Sequence, residues 1–267
     1  MSWPRYVFVG GLHRSGTSLV ARLIAAHPEV AAMTGTGVPE DEGVFLQGAI
    51  PHTARHGVPG RFAFDPAQHH TEDSPFNRLE TLRRLERDWE PHFPPDRPWR
   101  LEKSPVNLLR TRLYQQFFPM AHFVLVVRHP YAVAQATGKW SDDGTLALVR
   151  HWAHAHELML EDLRFLHAAL VLRYEDLCDD PAATLWSVFR FLQLDPGLAR
   201  PGPVREGNAD YAGLTGLSLP DEAVRLGYRP SLFDRDLLSP ALAVRHPLRA
   251  VREAVAEALA PPARRRA

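Results

Sequence analysis

The sequence predicts an α/β fold of three layers, in which helices flank a central parallel sheet. Short apolar runs rich in β-branched and aromatic residues lie at 6–9, 123–127 and 169–172, as expected for strands buried on both faces. Segments with apolar residues at helical spacing, such as 17–26 and 146–166, occur along the same chain. Because the two patterns alternate, a parallel sheet covered on both faces by helices is favoured.

The other elements follow from turn residues and apolar spacing. Ser74 and Pro75 open a helix, because proline is tolerated in a first helical turn. Residues 35–61 are rich in glycine, proline and charge, which predicts a long loop with one short helix near Phe45. The remaining predictions are a strand at 99–103 and helices at 74–92, 108–118, 131–137, 181–192 and 248–259.

The length of the chain predicts a single domain covering residues 1–267. We expect its core at 5–192. Residues 193–247 hold many prolines and glycines, which predicts an irregular lid or acceptor-binding region. A C-terminal helix is expected at 248–260.

Composition narrows the classes of function. Lys plus Arg and Asp plus Glu each number 31, so the formal net charge is zero and nucleic acid is not an expected partner. Cys178 is the one cysteine, which excludes an internal disulfide framework and a zinc site built on cysteines. The sequence carries no secretory signal and no apolar run near the roughly 20 residues that a spanning helix needs. We therefore expect a cytoplasmic protein without a membrane span.

A glycine-rich turn joins the first predicted strand to the first helix. Residues 10–18 read GGLHRSGTS and nearly fit the phosphate-binding P-loop, with Gly11 and Gly16 as its glycines and Ser18 as its closing hydroxyl. Thr17 stands where the P-loop lysine belongs, and a positive charge comes earlier, at Arg14. Backbone N–H groups and the helix N-terminus would favour a bound phosphate. The fold is therefore predicted to be P-loop-like, suited to a 5′-phosphate carrying one further acidic group.

Residues 12–19, LHRSGTSL, resemble the 5′-phosphosulfate loop of sulfotransferases that use 3′-phosphoadenosine 5′-phosphosulfate (PAPS). The core of that loop is Lys or Arg followed by Ser/Thr-Gly-Thr-Ser/Thr. The form with Arg is similar to tyrosylprotein sulfotransferases and to many bacterial sulfotransferases. The resemblance implies that donor-binding residues of the loop are Gly11, His13, Arg14, Ser15, Gly16, Thr17 and Ser18.

Residues 123–130, FVLVVRHP, resemble the family's 3′-phosphate segment, in which a strand delivers an Arg. The resemblance implies that Arg128 grips the 3′-phosphate, since a guanidinium binds phosphate well. The family usually has a Ser eight residues further on. This chain has Ala136 there, with Thr137 next to it.

Two further segments match the family in the expected order. Residues 102–105, EKSP, imply that Lys103 reaches the transferring sulfate, and residues 172–177, LRYEDL, imply that Tyr174 contacts the nucleotide. In the family a late loop often supplies another cation to the 3′-phosphate. Arg225 and Arg229 are the candidates in this chain, with Arg229 preferred.

The resemblance implies transfer of a sulfuryl group from PAPS to a hydroxyl of a small-molecule, natural-product or carbohydrate acceptor. Arg14 and Lys103 would neutralise the sulfuryl oxygens and the leaving phosphate, so no metal is expected. An alcohol acceptor also needs a general base, for which Glu42 is preferred and Glu40 comes second, with His13, His52 and His69 as further candidates. In the similar tyrosylprotein sulfotransferases the base is a Glu whose position falls on residues 34–37 of this chain, which have no carboxylate.

Two other functions are compatible with parts of the sequence. A P-loop kinase of a nucleotide or small molecule would share the loop, but Thr17 in place of lysine counts against it. A non-catalytic nucleotide-binding protein would share the binding segments and lack turnover. Dependence on Mg²⁺ separates the kinase from the sulfotransferase.

Overall fold

The computed structural model describes residues 4–52, 59–211 and 218–260. Its sheet has the strand order β2-β3-β1-β4-β5-β6, and all neighbouring strands are parallel except β5 and β6, which are antiparallel. The strands are β1 (Arg5–Gly11), β2 (Val30–Ala32), β3 (Trp99–Lys103), β4 (His122–Val127), β5 (Ala169–Arg173) and β6 (Val244–Arg245).

Helices connect the strands and cover the sheet. They are α1 (Thr17–Ala25), α2 (Gly43–Leu46), α3 (Leu79–Trp89), α4 (Thr111–Phe117), α5 (Pro130–Thr137), α6 (Thr145–Asp162), α7 (Tyr174–Asp179), α8 (Pro181–Phe191), α9 (Asp221–Arg225), α10 (Pro240–Ala243) and α11 (Arg249–Ala258). None of the helices in the described ranges is long and apolar enough to cross a membrane.

Side chains that alternate between the two faces of the central strands produce the three layers. In β1, Tyr6 and Phe8 pack into one hydrophobic core, while Val7 and Val9 pack into the core on the opposite face. Successive side chains of a strand point to opposite faces, so a strand that is apolar throughout must be covered on both. The buried runs seen in the sequence are therefore the cause of the layered fold, and the predicted α/β class is confirmed.

The register brings three strand ends together. Val9 near the end of β1 pairs with Lys103 of β3 on one side, and Gly11 pairs with Val126 of β4 on the other. Because these strands are parallel, their carboxyl ends open onto the same edge of the sheet. Ligands of open α/β sheets bind at that edge.

Several predicted elements need correction. The sheet is mixed, because the two-residue β6 joins its edge antiparallel, and both β6 and the three-residue β2 are too short to produce a strand pattern in sequence. The helix expected from residue 74 begins at Leu79, because Ser74 closes a turn in which its Oγ accepts the Phe76 N–H. The helix expected at 108–118 is a 3₁₀ segment, Pro105–Leu109, followed by α4.

Candidate active site

The glycine-rich turn between β1 and α1, predicted to bind a phosphate, contains two residues in the left-handed backbone region. Gly16 has φ +100°, and Arg14, at φ +67°, also lies in the left-handed region. A β carbon at Gly16 would lie 2.7 Å from Cδ2 of Tyr174, so this position needs glycine for its backbone conformation and for close packing. The tightly curved turn ends where α1 begins, at Thr17, with its N-terminal N–H groups.

Hydrogen bonds within the turn hold its shape. Ser15 is fully buried, and both its backbone N–H and its Oγ donate to the Leu12 carbonyl, at 3.1 and 2.6 Å. Gly11 fits closely against β4, since a β carbon there would lie 2.4 Å from the Val126 carbonyl oxygen. Thr17 is buried and Ser18 is exposed, so of these two predicted binding residues Ser18 presents its side chain to solvent.

Glu42 and Lys103 form a buried ion pair beside the loop. Lys103 Nζ lies 3.1 Å from Glu42 Oε1, and only 6% and 9% of the two side chains is exposed. Burial raises the pKa of Glu42 to about 7, although the charge and hydrogen bond of Lys103 lower it. A carboxylate with this pKa can accept a proton near neutral pH. Glu40 is exposed, at φ +53°, and precedes the pair in a 3₁₀ turn, Pro39–Asp41.

The residues on either side of Lys103 fix this pair in place. Glu102 is buried, and its Oε1 accepts hydrogen bonds from the Gly43 N–H and from Ser104 Oγ, at 2.9 and 2.5 Å. Ser104 Oγ in turn accepts the Val44 N–H at 3.1 Å. The start of α2 is thereby attached to the end of β3, which places Glu42 against Lys103.

Arg128 lies at the end of β4, on the other side of the loop. Its Nε donates to Asn208 Oδ1 at 2.7 Å, and its Nη1 donates to the Arg14 carbonyl at 3.0 Å. Its Nη2 is buried without a hydrogen-bond partner among the described residues. The guanidinium lies 4.3 Å from the ring centroid of Tyr174 and 5.4 Å from that of Tyr211. Within the part of the chain that the structure describes, Arg128 is therefore hydrogen-bonded by neutral groups, and the N–H groups of its Nη2 are free.

Tyr211 lies close to three cations of the site, Arg14, Arg128 and Lys139. Lys139 Nζ lies 3.5 Å from its hydroxyl, and the guanidinium of Arg14 lies 4.6 Å from the Trp140 ring centroid. Burial raises the pKa of Tyr211, but hydrogen bonds from Arg14 and Lys139 lower it more and leave it below its ordinary value. The hydroxyl of Tyr211 therefore lies within the influence of two cations, Arg14 and Lys139.

Other predicted residues lie near the loop in different roles. His13 packs edge-on against Phe62, and burial lowers the pKa of His13 to about 4, which makes it a weak base at neutral pH. Thr137 lines the same small cavity as His13, while Ala136 is fully buried. No described contact brings Thr137 to Arg128.

The backbone of Arg229 contacts the site. Its carbonyl oxygen accepts a hydrogen bond at 2.9 Å from Nε2 of His129, the residue that follows Arg128. Its side chain is exposed and forms an ion pair with Asp236 at 2.8 Å. The segment that contains Arg229 thus lies near Arg128, while the Arg229 guanidinium points toward Asp236. Binding of a 3′-phosphate by Arg229 stays a prediction.

Three residues at the site were not singled out from the sequence. Glu175 was within the LRYEDL segment, but only its neighbour Tyr174 was given a role. Asn208 lies in an irregular segment with no motif, and Lys139 follows a helix without any local signal. Their side-chain partners include residues distant in sequence: Arg128 for Asn208, Tyr228 for Glu175 and Tyr211 for Lys139. Within the described ranges, no group of three or more His, Cys, Asp or Glu residues is arranged to hold a metal ion.

The structure is an α/β fold with a glycine-rich turn after β1, cations at three neighbouring strand ends and a buried carboxylate–lysine pair. Residues 4–196 match the family model described as "Sulfotransferase family", Sulfotransfer_3. The chain belongs to this family and is a sulfotransferase, an enzyme that transfers a sulfuryl group.

Solved sulfotransferases share low sequence identity with this chain. The sulfotransferase domain from the curacin biosynthetic pathway is 17% identical, covering 97% of this chain and 98% of its own, with a TM-score of 0.46. The sulfotransferase domain of the Synechococcus PCC 7002 olefin synthase is 20% identical, covering 97% and 94%, with a TM-score of 0.46. A sulfotransferase from Alicyclobacillus acidocaldarius is 16% identical, covering 78% of this chain and 88% of its own, with a TM-score of 0.46. A search of curated proteins gave no match.

Proposed function

We propose that the enzyme transfers the sulfuryl group of PAPS to a hydroxyl of a small-molecule, natural-product or carbohydrate acceptor. The observation that carries this proposal is the buried pair of Glu42 and Lys103 beside the phosphate loop, at 3.1 Å. It unites a proton acceptor and a cation at the strand ends where the family carries out transfer. Bound there, the donor supplies an activated sulfuryl group attached to its 5′-phosphate.

The residues of the site fit this donor. The phosphate loop offers N–H groups at the start of α1 to the 5′-phosphate, with Arg14 exposed beside them. Arg128 has a buried, unpartnered Nη2 that suits the 3′-phosphate. Tyr174, packed between Gly16 and Arg128, is in a position to contact the nucleotide between the two phosphates.

In the proposed reaction, Glu42 takes the proton of the acceptor hydroxyl while a new O–S bond forms. The bond between sulfur and the 5′-phosphate oxygen breaks, and the electron pair stays on the leaving phosphate. Because the pKa of Glu42 is raised to about 7 by burial, its ionised form gains a proton with little penalty in this range. We infer that Glu42 is the general base and that Glu40, which is exposed, is the weaker candidate.

Lys103 and Arg14 neutralise charge during the transfer. Lys103 is already buried beside Glu42, and its ammonium can stabilise the sulfuryl oxygens and the leaving oxygen in a site shielded from water. When Glu42 is protonated its charge is lost, and the full charge of Lys103 becomes available at the moment it is needed. Transfer is then expected to proceed without added Mg²⁺, unlike that of a P-loop kinase.

The acceptor is proposed to bind between residues 35–75 and 196–245, and the chain to act as one domain. Among aromatic side chains in or near these ranges, Trp140 is 57% exposed, whereas Phe62 and Tyr228 are buried in the core. Exposed rings beside the loop therefore remain available for an acceptor, and the buried rings do not.

Calorimetric titration tests the donor. The ligands are 3′-phosphoadenosine 5′-phosphate, adenosine 5′-phosphate and ATP with Mg²⁺, with wild type and Arg128→Ala compared. We expect preferential binding of the 3′-phosphorylated ligand, and loss of the preference in the variant. Equal binding of the first two ligands, or preference for ATP with Mg²⁺, would contradict PAPS as the donor. Transfer of ³⁵S from labelled PAPS to a panel of alcohols, phenols and sugars, with and without EDTA, then identifies the acceptor class.

A further inference from the structure

Arg128 is held in a way that leaves its positive charge uncompensated. Nε and Nη1 donate to two neutral oxygens, Asn208 Oδ1 and the Arg14 carbonyl. Among the described residues no carboxylate forms an ion pair with Arg128, and its Nη2 has no hydrogen-bond partner. A buried guanidinium is usually paired with a carboxylate, since burying a lone charge is costly. The neutral partners therefore need an explanation.

The amide of Asn208 can adopt only one orientation here. Its Oδ1 faces Arg128 Nε, which can only donate, and its Nδ2 lies 2.9 Å from Glu175 Oε1, which accepts. Exchanging the amide oxygen and nitrogen would place two donors together and two acceptors together. The network thus fixes the amide and directs its oxygen at Arg128.

Glu175 is itself fixed by donors from three parts of the chain. Its Oε1 accepts the His129 N–H at 2.9 Å and the Asn208 amide, and its Oε2 accepts the Tyr228 hydroxyl at 2.9 Å. It is only 5% exposed, and among the described residues no cation lies within ion-pair distance of it. The Asn208 amide stands between this acid and Arg128.

We propose that Asn208 and Glu175 are positioning residues for Arg128, which orient its free Nη2 toward the 3′-phosphate while keeping its charge available. The inference rests on the proposed function, in which Arg128 binds that phosphate. Asn208 acts as a neutral spacer: it transmits the orientation of Glu175 to Arg128 without an ion pair that a phosphate would have to displace. Both residues act through Arg128 and set selectivity for a 3′-phosphorylated nucleotide.

The variants distinguish positioning from a general contribution to folding. Asn208→Ala removes the acceptor. Asn208→Asp replaces the amide with a carboxylate that pairs with Arg128 and places a second acceptor against Glu175 Oε1. Glu175→Ala removes the anchor. Glu175→Gln can keep every bond, because its oxygen can accept from His129 and Asn208 while its amide nitrogen donates to the Tyr228 hydroxyl. Asn77→Ala and Asn77→Asp are the matched controls, since Asn77 is exposed and its side-chain amide donates to the backbone carbonyl of Glu72.

The measurement is the ratio of dissociation constants for adenosine 5′-phosphate and 3′-phosphoadenosine 5′-phosphate, with melting temperature recorded for each variant. We expect Asn208→Ala to lower the ratio about tenfold, since a hydrogen bond to a charged group is lost. Asn208→Asp should lower it further, because a carboxylate beside Arg128 offsets its charge. Glu175→Ala should lower it by no more than Asn208→Ala, since Glu175 acts through Asn208. Binding of adenosine 5′-phosphate should change less than about twofold. Glu175→Gln and both Asn77 variants should keep the wild-type ratio.

Failure of this inference differs from failure of the proposed function. If Arg128→Ala lowers the ratio but the Asn208 variants leave it unchanged, the positioning role is wrong and the donor assignment stands. If Arg128→Ala leaves the ratio unchanged, the 3′-phosphate does not bind at Arg128, and both the positioning role and the donor assignment are wrong. A loss of affinity for both nucleotides together with a fall in melting temperature, in Asn208→Ala, would indicate a structural role only and overturn the proposal.

Discussion

Two cations flank the phosphate loop, and they are held in opposite ways. Lys103, at the end of β3, is paired with the carboxylate of Glu42 at 3.1 Å. Arg128, at the end of β4, is held by the amide of Asn208 and a backbone carbonyl. On the Lys103 side a titratable acid lies next to the cation, which suits a reaction in which a proton moves. On the Arg128 side the charge is unpaired, which suits binding of a permanent anion.

This difference follows from the elements that surround each cation. Lys103 meets the start of α2, which Glu102 and Ser104 attach to β3. Arg128 meets the segment around Asn208, which reaches it from a distant part of the chain. Substitutions on the first side should therefore affect the rate of transfer, and those on the second side should affect the affinity for the nucleotide.

The largest effect is expected for Glu42→Gln. Loss of the general base should lower kcat by about 1,000-fold, within the range for removal of such a group. In wild type the rate should rise as pH increases through about 7, because burial raises the pKa of Glu42 to that value and only the ionised form accepts a proton. This rise should be absent in the variant. Steady-state rates between pH 5.5 and 9 measure both effects.

Two comparisons sharpen the assignment of the base. Glu40→Gln replaces the second candidate, and Glu80→Gln replaces an exposed residue of α3 as a neutral control. We expect Glu80→Gln to match wild type and Glu40→Gln to lose far less than Glu42→Gln. If Glu40→Gln shows the larger loss and removes the pH dependence, Glu40 is the base.

The next largest effect is expected for Lys103→Met. The variant lacks the charge that stabilises the leaving oxygen, so kcat should fall by roughly 100-fold. Glu42 also loses the cation that lowers its pKa, so burial alone would raise the pKa further and move the pH dependence to a higher pH. Steady-state kinetics across pH measure both changes.

Lys103→Arg, which keeps the charge, should retain more activity than Lys103→Met. Affinity for 3′-phosphoadenosine 5′-phosphate should change little in either variant, since the 3′-phosphate is proposed to bind at Arg128, on the other side of the loop. A large loss of affinity with an unchanged kcat would show that the two cations do not divide their roles in this way.

A smaller effect is expected on the Arg128 side for Gly207→Val. A β carbon at Gly207 would lie 3.6 Å from Arg128 Nη2 and 3.2 Å from the Tyr174 hydroxyl. The added methyl groups of valine would fill the space next to the free donor, so affinity for 3′-phosphoadenosine 5′-phosphate should fall about twentyfold, with adenosine 5′-phosphate affected less. Gly202→Val is the matched control, because a β carbon there meets nothing within 4 Å. Equal losses for both nucleotides would place the 3′-phosphate elsewhere.

The sequence predicted the parts of the fold and site that local pattern determines. Buried strands such as 123–127 were found because they are apolar throughout, and the loop was found because Gly16 and Arg14 stand in a known spacing. The antiparallel β6 was missed, because two residues carry no periodicity. Asn208 was missed for a related reason: its role depends on a contact with Arg128, 80 positions away.

The smallest effect is expected for Gly16→Ala, which perturbs the loop shared by both sides. Gly16 combines φ +100° with a position 2.7 Å from the Tyr174 ring, so alanine there meets both backbone strain and a steric clash. Affinity should fall about fivefold for both nucleotides alike, since the loop binds the 5′-phosphate that they have in common. Gly35→Ala separates the two causes, because Gly35 has φ +65° with nothing within 4 Å of its β carbon. Gly35→Ala should lower the melting temperature and leave nucleotide binding unchanged. If Gly16→Ala instead lowers the affinity for the 3′-phosphorylated nucleotide alone, Tyr174 transmits the change to Arg128.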